Sequence, residues 1–189
     1  MRDTAARFLA DLEGLAPGAR LGVALSGGPD SLALLLLAHE ARPGAVEAAT
    51  VDHQLRASSR AESDQVAVIC ERLGIAHTIL TVEVPPGASL QAQAREARYA
   101  ALAQWGSERG LTLLTAHHAD DQAETLLMRL SRGAGLAGLA GVRASRIIKA
   151  PNGPTVRLVR PLLAWRKREL EAVVAAAGLH AIDDPSNDD

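Results

Sequence analysis

The first residues along the chain whose types and spacing could do chemistry are Ser26-Gly27-Gly28-Pro29-Asp30-Ser31. Two glycines allow a tight turn and a close approach of backbone to a ligand. Pro29 suits the first turn of a helix, where its missing N–H is not needed. Free N–H groups and hydroxyls in such a turn form an anion site, which the helix dipole reinforces. Asp30 makes sense beside an anion mainly if a cation such as Mg2+ lies between them, and this marks Asp30 as a candidate Mg2+ ligand. The competing reading, a plain Gly-rich turn from strand to helix, leaves the attached Asp-Ser unexplained.

A second constellation is His117-His118-Ala119-Asp120-Asp121-Gln122-Ala123-Glu124-Thr125. Asp121 and Glu124 are three apart, so on a helix they share a face and could hold an ammonium ion and help remove its proton. The same acids could instead form a solvated first turn with Asp120 as the cap. One metal ion on both histidines is awkward, because neighbouring residues of a strand point to opposite faces. Arg95 and Arg98 sit beside Tyr99 on a long helix, where exposed arginines are also commonplace. Tyr99 and Trp165 read as packing residues. Gly133–Gly138 matches G-x-G-x-x-G but follows a helix rather than a strand, so it fails as a dinucleotide fingerprint and reads as a flexible loop near substrate.

These groups need elements to position them. Strand patterns at Leu21–Leu25, Ala45–Val51, Ala76–Val82 and Leu111–Ala116 alternate with helical patterns. The helices are expected from Pro29 to about Glu40, Ser59 to Leu73, Ser89 (as cap) to Arg109, Asp120 to about Leu130, and Trp165 to Ala177, with a short hairpin around Asn152-Gly153. Such alternation implies an α/β fold with a parallel, doubly wound sheet of about five strands. Ligands of these sheets bind beyond the carboxyl ends of the strands. Ser26–Ser31, Asp52-His53 and His117–Asp121 all follow strands.

The chain has 189 residues, 48% hydrophobic and 22% charged, which is globular composition and excludes disorder. Its longest apolar run, Leu32–Ala38, is far short of the ~20 residues of a bilayer span. The single cysteine, Cys70, excludes a disulfide framework or a Cys-based zinc or iron–sulfur site within this chain, and reads as a core thiol. A cytoplasmic, non-membrane protein is expected. The formal net charge of −2 hides a segregation: residues 125–168 hold ten Lys or Arg and no Asp or Glu. A cationic stretch directly after the candidate acids permits a nucleic-acid partner that the bulk charge argues against.

The hexapeptide resembles the PP-loop of the N-type ATP pyrophosphatases, which cleave ATP between the α and β phosphates. With Val51–Arg56, His117–Thr125, Arg132-Gly133-Ala134-Gly135, Arg160-Pro161-Leu162-Leu163 and Asp184-Pro185-Ser186-Asn187 in order, the chain resembles the tRNA(Ile)-lysidine synthases over about its whole length. The resemblance implies a Rossmann-like PP-loop fold, ATP as substrate with Mg2+, and tRNA(Ile) and free L-lysine as partners. It implies ATP binding by Ser26–Ser31, catalysis by Asp30, Asp121 and Glu124, and nucleotide or substrate contacts from Asp52, His53, Arg95, Arg98 and His117. Contacts to tRNA would come from Arg129, Arg132, Arg143, Arg146 and Lys149. Residues 1–182 would be the catalytic domain and 183–189 the start of a linker to a further tRNA-binding region, so the chain alone is expected to bind ATP but act poorly on tRNA. The alternatives are a thiolase-like PP-loop enzyme, disfavoured by the lone Cys70, and a non-catalytic ATP-binding regulatory module.

Overall fold

In a computed structural model that describes residues 2–12, 14–54, 59–84, 89–123, 142–151, 153 and 155–179, six strands form one sheet. In chain order the elements are α1 (Arg2–Asp11), β1 (Leu21–Ala24), α2 (Pro29–Ala41), β2 (Val46–Asp52), α3 (Ser59–Arg72), β3 (Ala76–Thr81), α4 (Leu90–Arg109) and β4 (Thr112–Leu114). Helical residues 119–123 (α5) follow, then β5 (Ser145–Lys149), β6 (Thr155–Val159) and α6 (Lys167–Ala176). The sheet order is β3-β2-β1-β4-β6-β5. All pairings are parallel except β5 with β6, the expected hairpin, which adds an antiparallel edge to the parallel sheet.

The central strands are short and apolar because both faces are covered. Alternation divides them between two cores. Leu21, Val23, Leu25, Ala48, Leu114 and Val159 face a core shared with α1, α2, α3 and α6. Ala49, Leu113, Val156 and Leu158 face a second core built on Leu102 and Trp105 of α4. Helix α2 is buried without a break from Ser31 to Ala38, which is why its sequence shows no polar stripe: the sheet lies on one side and α1 and α6 on the other. On the α4 side, Gly22 lets Trp105 lie against β1, since a Cβ there would come within 2.7 Å of the indole. Cys70 is fully buried, and burial pushes its thiol up to about 11. Among the described residues no helix is long and apolar enough to cross a membrane.

Two features depart from expectation. Helix α1 is not evident in a segment of alternating charge, yet Phe8 and Leu12 anchor it in the larger core. Ser89 stands at the start of α4 with φ 71, and its hydroxyl makes no capping bond. Capping requires an extended backbone at that position, and the left-handed one found here denies it; backbone bonds from Ala92 and Gln93 to the Ser89 carbonyl start the helix instead.

Candidate active site at the carboxyl edge of the sheet

The turn after β1 is pinned by one hydroxyl. Ser31 Oγ donates to the Gly28 carbonyl (3.0 Å) and accepts from Ser26 N–H (3.2 Å) and Ser26 Oγ (3.1 Å). Gly27, at φ 91, makes the reversal that a side chain would resist. Gly28 then begins α2 with no side-chain cap and Pro29 behind it, leaving the first turn without a competing side-chain acceptor at an anion-favouring helix end.

The strand alternation of β4 continues past its last residue. Leu113 faces the α4 core and Leu114 the α2 core. Two pairs later, His117 projects to the α4 side and His118 to the α2 side, as the opposite-face rule requires. His118 is 5% exposed and stands among three carboxylates: Nε2 lies 3.3 Å from Asp30 Oδ2 and 3.8 Å from Asp121 Oδ1, and Nδ1 lies 3.7 Å from Asp120 Oδ2. Its pKa is raised, chiefly by the bond to Asp30, against the effect of burial. Asp121 Oδ2 also accepts the His118 N–H at 2.9 Å, which ties down the start of α5. Asp120, expected as the cap of that helix, instead accepts the Lys167 N–H (2.7 Å) at the start of α6, while Ala119 N–H bonds the Trp165 carbonyl. These ties bring α5 and α6 against the first turn of α2, so Asp30 and Asp121 meet from distant parts of the sequence.

On the α4 side the surroundings are cationic. Arg95, Arg98 and Arg146 lie over the Tyr99 ring at 5.2, 5.4 and 4.3 Å from its centroid. Arg160, directly after β6 and 5% exposed, donates to the Arg143 carbonyl at 2.8 Å. Burial opposes ionisation of the Tyr99 phenol, yet the charges of Arg95 and Arg98, with Arg98 and Arg160 close to the hydroxyl, pull its pKa down. Burial first, then Arg160, holds His117 down to about 4, and Nδ1 of this neutral imidazole lies 3.3 Å from Thr115 Oγ1. Burial and Arg98 likewise lower His53. Asp52 is buried, and its Oδ1 accepts the Gln54 N–H at 2.9 Å, shaping the turn after β2.

The structure thus gathers Ser26–Ser31, Asp30, Asp52, His53, Arg95, Arg98, His117, Asp121 and Arg146 at one edge of the sheet, with Arg143 beside them. Lys149 is separate: it pairs with Thr155 at the start of β6, while Arg146 pairs with Leu158 near its end. Glu124, Arg129, Arg132, the glycine-rich stretch 133–138 and residues 183–189 lie outside the described residues. Sequence reading passed over His118, Gln122, Tyr99 and Arg160 as site residues. Gln122 grips Val142 by two bonds, Nε2 to the carbonyl (3.1 Å) and Oε1 from the N–H (2.6 Å). Alternation alone could have flagged His118, since it assigns the second histidine to the Asp30 side.

Among the described residues no group of three or more His, Cys, Asp or Glu forms a metal cage. Asp30 Oδ1, however, is buried with no hydrogen-bond partner. One free carboxylate oxygen beside a phosphate cradle fits Mg2+, which keeps several waters and takes one or two carboxylates together with substrate phosphates.

The sequence matches the family described as PP-loop domain over residues 1–189. It is similar to the tRNA(Ile)-lysidine synthase of Novosphingobium aromaticivorans, at 55% identity over 98% of this chain and 56% of that protein. The corresponding protein of Zymomonas mobilis is 49% identical over 89% of this chain and 51% of its own length. The chain therefore spans about half the length of the curated relatives it matches. Among solved structures, the U34-tRNA thiolase NcsA from Methanococcus maripaludis with its [4Fe-4S] cluster superposes with TM-score 0.76 at 19% identity, over 97% of this chain and 66% of that one. The NH3-dependent NAD synthetase of Campylobacter jejuni gives 0.61 at 18% identity, over 95% and 72%. At these identities the likeness is one of fold.

Proposed function

This chain belongs to the PP-loop domain family, and from that premise we propose that it is the ATP-binding, catalytic part of an enzyme that ligates lysine to C2 of a cytidine in the anticodon of tRNA(Ile). The observation that carries the reading is the meeting of Asp30 and Asp121 around His118, directly beside an uncapped phosphate-binding turn. A fold that only senses ATP has no need to bring a second acid, from the end of the neighbouring strand, against the first.

In this reading the Ser26–Ser31 turn holds the phosphates of ATP. The cytidine O2 attacks the α-phosphate, pyrophosphate leaves, and an O2-adenylated cytidine remains. The lysine ε-amine then attacks C2 and AMP departs with the former O2. Asp30 Oδ1 would hold Mg2+, which supplies neutralisation of phosphate charge when bound. Asp121 Oδ1 faces the lysine ammonium and, with Glu124, orients it and takes up its proton. Its other oxygen is committed to the His118 backbone, which fixes the direction of the first. Arg95, Arg98, His53 and His117 line the nucleotide side. Their histidines are held neutral, so they can exchange hydrogen bonds with a base without adding charge. Arg129, Arg132 and Arg143 would hold RNA, with further contacts from a region beyond the catalytic domain of residues 1–182.

A thiolase chemistry on the same fold finds no support here. The chain's single cysteine is buried, and its thiol is held protonated at neutral pH. The deciding measurement is mass spectrometry of tRNA(Ile) after incubation with ATP and lysine, for this chain and for a chain of the relatives' full length. Lysine-dependent mass gain on one cytidine, with AMP and pyrophosphate released, is expected from the longer chain. ATP turnover indifferent to tRNA and lysine in both chains would overturn the assignment.

A further inference from the structure

Among the described residues, none of Arg95, Arg98, Arg146 and Arg160 pairs with a carboxylate. Arg160 is nine-tenths buried, and the Nε atoms of Arg98, Arg146 and Arg160 are buried with no hydrogen-bond partner among the described residues, while Arg98 and Arg160 lie against the Tyr99 hydroxyl. Arg160 is buried, Arg98 and Arg146 are half-buried and Arg95 is exposed; crowding these like charges around partly desolvated groups is costly unless an anion completes them. The strain is registered locally: burial and the neighbouring charges of Arg146 and Arg95 depress even Arg160. Their placement also follows from the sheet. Alternation along β5 and β6 puts Arg146 with Ile148, and Arg160 with Leu158, on the α4 face, and a helical stripe puts Arg95, Arg98 and Tyr99 opposite them.

We propose that Arg95, Arg98, Arg146 and Arg160, arrayed around Tyr99, form a second anion site that takes a backbone phosphate of the RNA substrate next to the base being modified. The site rests on the ligation reading above and deepens it. Two strand spacings, roughly 10 Å, separate β6 from β1 and the phosphate turn. The two sites are therefore far enough apart to hold separate phosphates. Four guanidinium groups without a carboxylate partner among the described residues suit a phosphodiester, and three of them lie over the Tyr99 ring. ATP phosphates share this chemistry, so the test separates the two sources.

Fluorescence anisotropy would follow a labelled short single-stranded RNA containing cytidine, titrated with this chain at several salt concentrations, beside ATP and inorganic pyrophosphate binding. R146Q and R160K are each expected to weaken RNA binding by about tenfold, and R146Q, which removes a charge, to flatten its salt dependence by about 0.7 in log–log slope, the loss of one phosphate contact to a single strand. ATP and pyrophosphate affinities stay within about twofold of the parent. Thermal unfolding controls for the buried R160K, and R146Q on the edge strand carries the test if R160K does not fold. Unchanged RNA affinity and slope in the folded variants would overturn the site. So would an equal loss of pyrophosphate or ATP affinity, or no RNA binding by the parent. AMP formation in the same samples is a separate readout: arginine-dependent RNA binding without it counts against the ligation reading and leaves this site standing.

Discussion

On the α2 side of the carboxyl end of β4, three carboxylates surround His118; on the α4 side, four guanidinium groups gather around Tyr99 next to His117. The two histidines are consecutive residues, yet one has its pKa raised and the other lowered to about 4. The difference teaches how a single strand can serve a reaction with conflicting electrostatic needs. In the ligation proposed above, a phosphate-bound cation and an ammonium group would need acids, whereas an RNA backbone would need arginines. Mixed in one cavity, these groups would neutralise each other. The β alternation sorts them to opposite faces, and only a reactant spanning the edge meets both.

The sharpest way to break this comparison is to remove its acidic side. Asp30→Ala and Asp121→Ala are each expected to abolish lysidine formation, a loss of about 10³-fold or more, with the circular dichroism of the folded protein retained. Full activity in either variant would contradict the proposed roles. Next in size is His118→Asn, which leaves three carboxylates facing one another without the imidazole between them. A loss of roughly 2 kcal/mol of stability is expected, measured by denaturant unfolding of the ligand-free protein. Because the folded pKa of His118 is raised, its contribution is complete below its ordinary 6.5 and fades as pH rises through the higher folded value. The variant's deficit should therefore be greatest in mild acid and shrink toward alkaline pH.

His117 gives the opposite sign. Its folded pKa is about 4 against an ordinary 6.5, so the protein loses stability as pH falls through that window. His117→Gln removes the titrating group and should flatten that part of the stability–pH curve, by something on the order of 2 kcal/mol once its partial exposure is allowed for. If both histidine variants shifted the curve in the same direction, the two-sided picture would fail. The smallest effect belongs to the far end of the sheet, where Glu47 joins Arg20 and Arg109. Both arginines are about half exposed, so Glu47→Gln should cost no more than about 1 kcal/mol and leave ATP binding unchanged by calorimetry.

The Ser26–Ser31 turn was legible in the sequence because it is local: six consecutive residues supply the glycines, the hydroxyl pin and the acid. The strands and most helices were legible for a similar reason, since apolar runs and Gly or Pro stops are local signals. Helix α1 was not, because what makes it a helix is burial of Phe8 and Leu12 against α2, and its own charges mask that face. Lys149 was grouped with Arg143 and Arg146 on proximity in sequence, but a strand covers roughly 3.3 Å per residue and carries it to the other end of β5. Arg160 stands in the Arg160-Pro161-Leu162-Leu163 motif, but nothing in its neighbours signals that four arginines from α4, β5 and the end of β6 converge.

The sequence by itself determined the α/β alternation, the glycine-rich turn after β1 and the presence of acids after β4, because each is written within a few consecutive residues. Only the tertiary structure decided which charges share a space. The order β1-β4-β6 and the docking of α6 on α2 bring Asp30 to Asp121, and they put Arg160 beside Tyr99, across separations that no sequence window spans. Coulombic interactions fall with distance in space, not along the chain, so the division into an acidic and a cationic chamber exists only once the sheet has formed.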